Sequence, residues 1–133
     1  MKLLPHFEHA VIAIEKLENY VLNSQHPQGK HKARVFQSTL EIERRHANVL
    51  EGLIQKSLLR APAEQGESTE YGDSWTTWHE ISGLNGQSAV VTVAWMFKKN
   101  AEQIPVFIWC YIESGLILAV MKFPYSESFL SFS

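Results

Sequence analysis

The hydrophobic period of this 133-residue chain changes once, near Tyr71, and that change fixes the fold class. Before Tyr71 the apolar residues recur at helical spacing; after it they alternate as in strands. Leu17, Tyr20 and Val21 stand at i, i+3 and i+4 and mark the face of a first helix. The apolar run 11–14 ahead of it reads as a small strand or as the lead-in to that helix. The helix should stop near Asn23 and Ser24, because the residue before Pro27 disfavours helical conformation. Gly29 then permits a tight turn. Ala33, Phe36 and Leu40 give a second helix its core face, with Lys30, Arg34 and Gln37 on another side. Leu50, Leu53, Ile54 and Leu58 form the stripe of a third helix over about 43–59.

The second half reads as hairpins. Trp75, Thr77, His79 and Ile81 alternate with Thr76, Trp78 and Glu80. Asn85-Gly86 is a hairpin signal in which both central residues tolerate positive φ. In the stretch 88–98, Val91, Val93, Trp95 and Phe97 share one face, and Thr92, Ala94, Met96 and Lys98 the other. Residues 99–105 form a longer turn, and 106–112 and 116–121 two further strands. These last strands are apolar on both faces and should be covered on both. Helices followed by hairpin-linked strands predict an α+β domain. About three helices would pack on one face of a four- or five-stranded antiparallel meander. We read residues 1–133 as one domain, a length that suits a single core. The helical part spans about 7–60, an acidic loop 61–73, the sheet 74–123 and a tail 124–133. For the tail the alternatives are a further strand, an ordered arm or a loose end.

Charge sharpens the picture. Twelve Lys and Arg against fourteen Asp and Glu give a net charge of −2, which excludes a general polyanion coat. The average hides two poles. Lys30, Lys32 and Arg34 make a basic segment with His26 and His31, and Glu64, Glu67, Glu70, Asp73 and Glu80 an acidic one. A lone Cys110 excludes an intramolecular disulfide and a multi-cysteine zinc site. No apolar run reaches the roughly 18 residues that span a bilayer, and the first residues lack a secretory leader. The expectation is a cytoplasmic protein with no membrane contact, no metal and no cofactor.

The stretch from Lys16-Leu17-Glu18-Asn19-Tyr20-Val21-Leu22-Asn23 to His26-Pro27-Gln28-Gly29-Lys30-His31-Lys32-Ala33, with Phe36, carries a motif. It resembles a family of small bacterial domains of unknown function marked by Lys-Leu-x-x-Tyr-Leu-Leu-Asn and His-Pro-x-Gly-x-x-Lys-Ala-x-x-Phe. Tyr71-Gly72, Asn85-Gly86 and Ala94-Trp95 match the family's later landmarks in order. The chain departs from the pattern at Val21, at Leu40-Glu41 where the family has Leu-Gly, and at Val93, where a small hydroxylated residue is usual. The family is in turn similar to polymorphic-toxin ribonuclease domains of the barnase, colicin D and RelE group. That resemblance implies RNA as substrate and a cognate antitoxin-like protein as partner.

Metal-independent RNA cleavage needs a base, an acid and a cation on the phosphate. His26, His31 and Lys32, with Thr92 from the sheet, supply catalytic candidates. Lys16, Lys30 and Arg34 supply anion-binding ones. The competing reading makes His-Pro-x-Gly a turn held by His26, with Lys32 paired to a carboxylate such as Glu18. A non-catalytic binding or assembly module, acting with a neighbouring gene product or as a homo-oligomer through its apolar strands or tail, is the alternative function.

Overall fold

The computed structural model describes residues 1–99 and 103–113. The expected strand at 116–121 and the tail at 124–133 lie outside the described residues. Three helices precede a four-stranded antiparallel sheet, the α+β arrangement read from the sequence. Helix α1 (Ile14–Lys16) runs on into a π-helical turn, Leu17–Val21. Helix α2 spans Lys30–Leu40, and α3 spans Ala47–Ser57 with a 3₁₀ extension, Leu58–Arg60. Strands β1 (Ala63–Thr69), β2 (Gly72–Ser82), β3 (Ser88–Lys98) and β4 (Val106–Ile112) follow in spatial order β1-β2-β3-β4.

Register explains how the core is built. Trp75 pairs with Trp95, Thr77 with Val93 and His79 with Val91 across β2 and β3. Directly opposed residues share a face. That face receives α3 over β2 and α2 over β3 and β4. Phe36, Leu40, Leu50, Ile54 and Leu58 share one buried cluster with Trp95 and Phe107, whose rings meet edge-on at 6.0 Å. The π-turn places Leu17, Tyr20 and Val21 inward, as the spacing predicts. The start of the chain also joins the sheet: Val11 bridges in parallel to Val106. Trp75 lies buried on the helix side, and Trp78 half-buried on the other.

Three expectations are corrected. The acidic segment expected as a loop over 61–73 contains β1, paired antiparallel with β2. It escaped detection because its interior side chains are all exposed, so no apolar alternation marks it. Charges along such a strand discourage edge-to-edge association, and Gly66 sits where the register slips between Gln65 and Ser68. The turn joining β2 and β3 is a five-residue loop in which only Gly86 takes positive φ, 82°. Asn85 serves differently: its Oδ1 accepts from Gln87 N–H and its Nδ2 donates to the Thr39 carbonyl, tying the loop to α2. The third helix also starts differently. A 3₁₀ turn, Arg44–His46, leads it in, closed by reciprocal capping between Glu43 and His46.

Helix α2 ends on Glu41 at φ 56°, with Ile42 N–H bonded to the Phe36 carbonyl. This is a left-handed cap that favours glycine, so the Leu40-Glu41 departure from the family's Leu-Gly is a strained substitution. Glu41→Gly should raise unfolding free energy by about 1 kcal/mol, read as a higher urea midpoint at unchanged slope.

Candidate functional site

The basic motif folds as a turn followed by the first turn of α2. His26 Nδ1 accepts from the backbone N–H groups of Gln28 and Gly29, both at 3.0 Å. The ring proton therefore sits on Nε2. The His26 ring packs edge-on against Tyr20, centroids 4.9 Å apart. Gly29 is required by close approach rather than by its φ of −92°: a Cβ there would lie 2.2 Å from the Tyr20 carbonyl oxygen.

Lys32 turns inward. It is 2% exposed, and its Nζ donates to the Tyr20 hydroxyl at 2.5 Å. The ammonium lies 4.3 Å from the Tyr20 ring centroid and 4.6 Å from that of Trp109. Burial lowers its pKa to about 7, which the nearby Cys110 opposes. The Cys110 thiol is itself pushed up to about 12 by burial, so it stays protonated at neutral pH. Burial likewise raises the Tyr20 phenol, which stays a neutral donor. The envisaged pairing of Lys32 with Glu18 is replaced by this aromatic niche.

The other candidates divide. Lys30 lies half-buried, and His31 and Arg34 are exposed on the surface of α2. Lys16 Nζ donates to the Phe107 carbonyl at 3.0 Å, and burial, then Lys98, lowers its pKa. Thr92 lies on the sheet face away from the helices and donates to Glu113 Oε1 at 3.2 Å. Its opposed neighbour Tyr111 stacks on Trp109 at 5.0 Å. The structure thus gathers His26, Tyr20, Lys32 and Trp109. Among the described residues Thr92 adjoins this group through Tyr111, and His31 and Arg34 are exposed. Sequence reasoning treated Tyr20 as core; its ring is, but its hydroxyl is polar and binds the lysine. Its i to i+12 spacing from Lys32 gives no helical or strand periodicity to flag the pair.

A second polar group escaped notice. Trp95 Nε1–H donates to Thr77 Oγ1 at 2.8 Å, Thr77 Oγ1 meets His79 Nε2 at 2.7 Å, and His79 Nδ1 meets Ser57 Oγ at 2.6 Å. Ser57 also bonds the Leu53 carbonyl at 2.7 Å. Indole can only donate, so one direction satisfies every atom: Trp95 to Thr77, Thr77 to His79, His79 to Ser57, Ser57 to Leu53. Burial, then Arg60, lowers His79 to about 4 and keeps it neutral. The chain of bonds is a strut between α3 and the sheet. Its signal was the polar pair Thr77 and His79 between Trp75 and Ile81 on one strand face.

Among the described residues no three metal-ligating side chains converge, and no helix is long and apolar enough to cross a membrane. Helices laid on one face of a meander, with a basic turn and helix start at its β4 side, define a small α+β domain of the helices-then-sheet kind. Residues 3–114 match the domain of unknown function DUF6883, and the chain belongs to that family. The same fold occurs in a chain of a contact-dependent growth inhibition toxin–immunity protein complex from Klebsiella pneumoniae 342. The likeness has a TM-score of 0.58 at 15% identity, over 84% of this chain and 100% of that chain. No curated protein sequence matches the chain.

Proposed function

We propose that the domain is a toxin-like, metal-independent ribonuclease restrained by a cognate antitoxin-like protein. One observation carries the reading: the Lys32 amine on the Tyr20 hydroxyl between two aromatic rings, beside His26. An amine that titrates near 7 exchanges protons at working pH. Lys32 acts through the Tyr20 hydroxyl, which passes the proton to or from RNA. His31, on the open side of α2, is the second proton carrier. One group takes the 2′-hydroxyl proton as that oxygen attacks phosphorus; the other protonates the departing 5′-oxygen. Lys30, Arg34 and Lys16 supply positive potential for the phosphate. Thr92 serves as a polar contact on the far face. The fold shared with a chain of a growth-inhibition toxin–immunity complex agrees with this reading.

The test is cleavage of total tRNA in EDTA. Wild type should cut. Lys32→Met, which fills the niche without a charge, should cut at least about 100-fold more slowly while remaining folded. His26→Asn offers an amide oxygen to the two backbone N–H groups and separates holding the turn from chemistry. Induced wild type should arrest growth, and Lys32→Met should not. Intact tRNA after incubation with wild type would sink the reading.

A further inference from the structure

Strand β2 outruns β1. Its pairing with β3 covers residues 72–82, whereas its paired residues with β1 end at Thr77 opposite Ala63. One more bond follows, Trp78 N–H to the Pro62 carbonyl at 3.1 Å. Proline has no N–H, so Pro62 cannot return a bond to the Trp78 carbonyl, and the ladder stops there. Antiparallel strands alternate the side to which N–H and C=O point. Trp78 points toward β1, so Glu80 and Ser82 point the same way, past the end of β1. Both are exposed, and among the described residues no backbone bond fills that side. A cavity of about 580 Å³ opens here, lined by Arg60, Ala61, Pro62, Trp78 and Glu80 among others.

We propose that this overhang docks an extended segment of another protein by strand addition. The main-chain groups of Trp78, Glu80 and Ser82 give a slot of four to five residues, about 14 Å long. Charge selects the occupant. Two copies of this chain paired symmetrically about Glu80 would set two carboxylates face to face, which is unfavourable. A partner residue opposite Glu80 meets its carboxylate and should be Lys or Arg. Its neighbours in that strand point to the other face, where Arg60 lies near His79, and should be acidic. The occupant is therefore a strand with a basic residue flanked by acidic ones. The surface is independent of the reaction proposed above.

The probe is a synthetic amide-capped peptide, Val-Thr-Glu-Lys-Glu-Thr-Val, followed by amide NMR. In the free protein the Glu80 and Ser82 amides should exchange with solvent far faster than those of His79 and Ile81. Saturating peptide should slow Glu80 and Ser82 at least about tenfold, with Kd below about 1 mM. N-methylation at the central Lys and the two Thr, whose N–H groups would face β2, should abolish this, and exchanging the central Lys for Glu should weaken it at least about tenfold. Glu80→Pro removes the outward N–H, and the carboxylate with it, and should also block binding. No shift at Glu80 and Ser82, or equal binding by the N-methylated peptide, overturns the proposal. RNA cleavage does not enter the measurement, so either idea can fall alone.

Discussion

Gly29→Ala is expected to lower the unfolding free energy by about 4 kcal/mol. Overpacking costs roughly 1–3 kcal/mol where flexible side chains can yield. Here the obstruction is backbone: the new Cβ would meet the Tyr20 carbonyl oxygen at 2.2 Å and its carbon at 3.0 Å. Relief requires moving the π-turn away from the start of α2. That motion also strains the two N–H bonds to His26 Nδ1, each worth about 1 kcal/mol. It shifts Tyr20 off Lys32 as well. Urea denaturation gives the value, with Gly52→Ala as the counterpart. Gly52 lies in α3 with nothing within 4 Å of its added Cβ, so that change should stabilise by up to about 1 kcal/mol. Equal midpoints for the two variants would refute the close-approach account.

Mild acid should weaken the fold through His79. Its pKa falls from 6.5 when unfolded to about 4 when folded. Above 6.5 the imidazole is neutral in both states and its network is intact. Between 6.5 and about 4 the unfolded chain takes up a proton that the folded chain refuses, so stability drops as pH falls. At about 1.4 kcal/mol per pH unit the loss reaches about 3 kcal/mol, and it levels off below the folded value. His79→Gln keeps a donor and an acceptor but does not titrate. The wild-type curve minus the variant curve, from urea melts at pH 4 to 7, isolates this limb. A flat difference would sink the assignment. Lys32 acts with the same sign at higher pH. The folded chain releases its proton near 7 and the unfolded chain holds it to 10.5, so stability climbs through that range.

Much of the architecture could be read from periodicity, because buried faces leave a pattern. Ala33, Phe36 and Leu40, or Val91, Val93 and Trp95, announce their element by spacing alone, and all are buried. β1 buries none of its residues and leaves no such pattern. Tertiary pairing to Thr76 and Thr77, not composition, makes it a strand. The motif residues were legible as residue types, not as a constellation. His26 and Lys32 stand out in the sequence, but their shared neighbour Tyr20 is hidden by its apolar ring, and Trp109 arrives from a distant strand. The reason for Gly29 was likewise invisible: its contact with Tyr20 is tertiary, so a turn was the natural inference.

The meander bears on the route by which the chain folds. Among the described residues every strand pairs with its immediate neighbour in the chain, so each step of sheet growth closes a short loop, which favours rapid collapse. The hairpin of β2 and β3, aligned over eleven residue pairs without a slip, is the natural nucleus. The broken registers at either side, near Gln65 in β1 and near Ala94 opposite β4, set later steps. The buried His79 strut needs both α3 and the sheet, since Ser57 lies on α3 and His79 on β2. If the strut forms late, protonating His79 would slow folding little and would chiefly quicken unfolding.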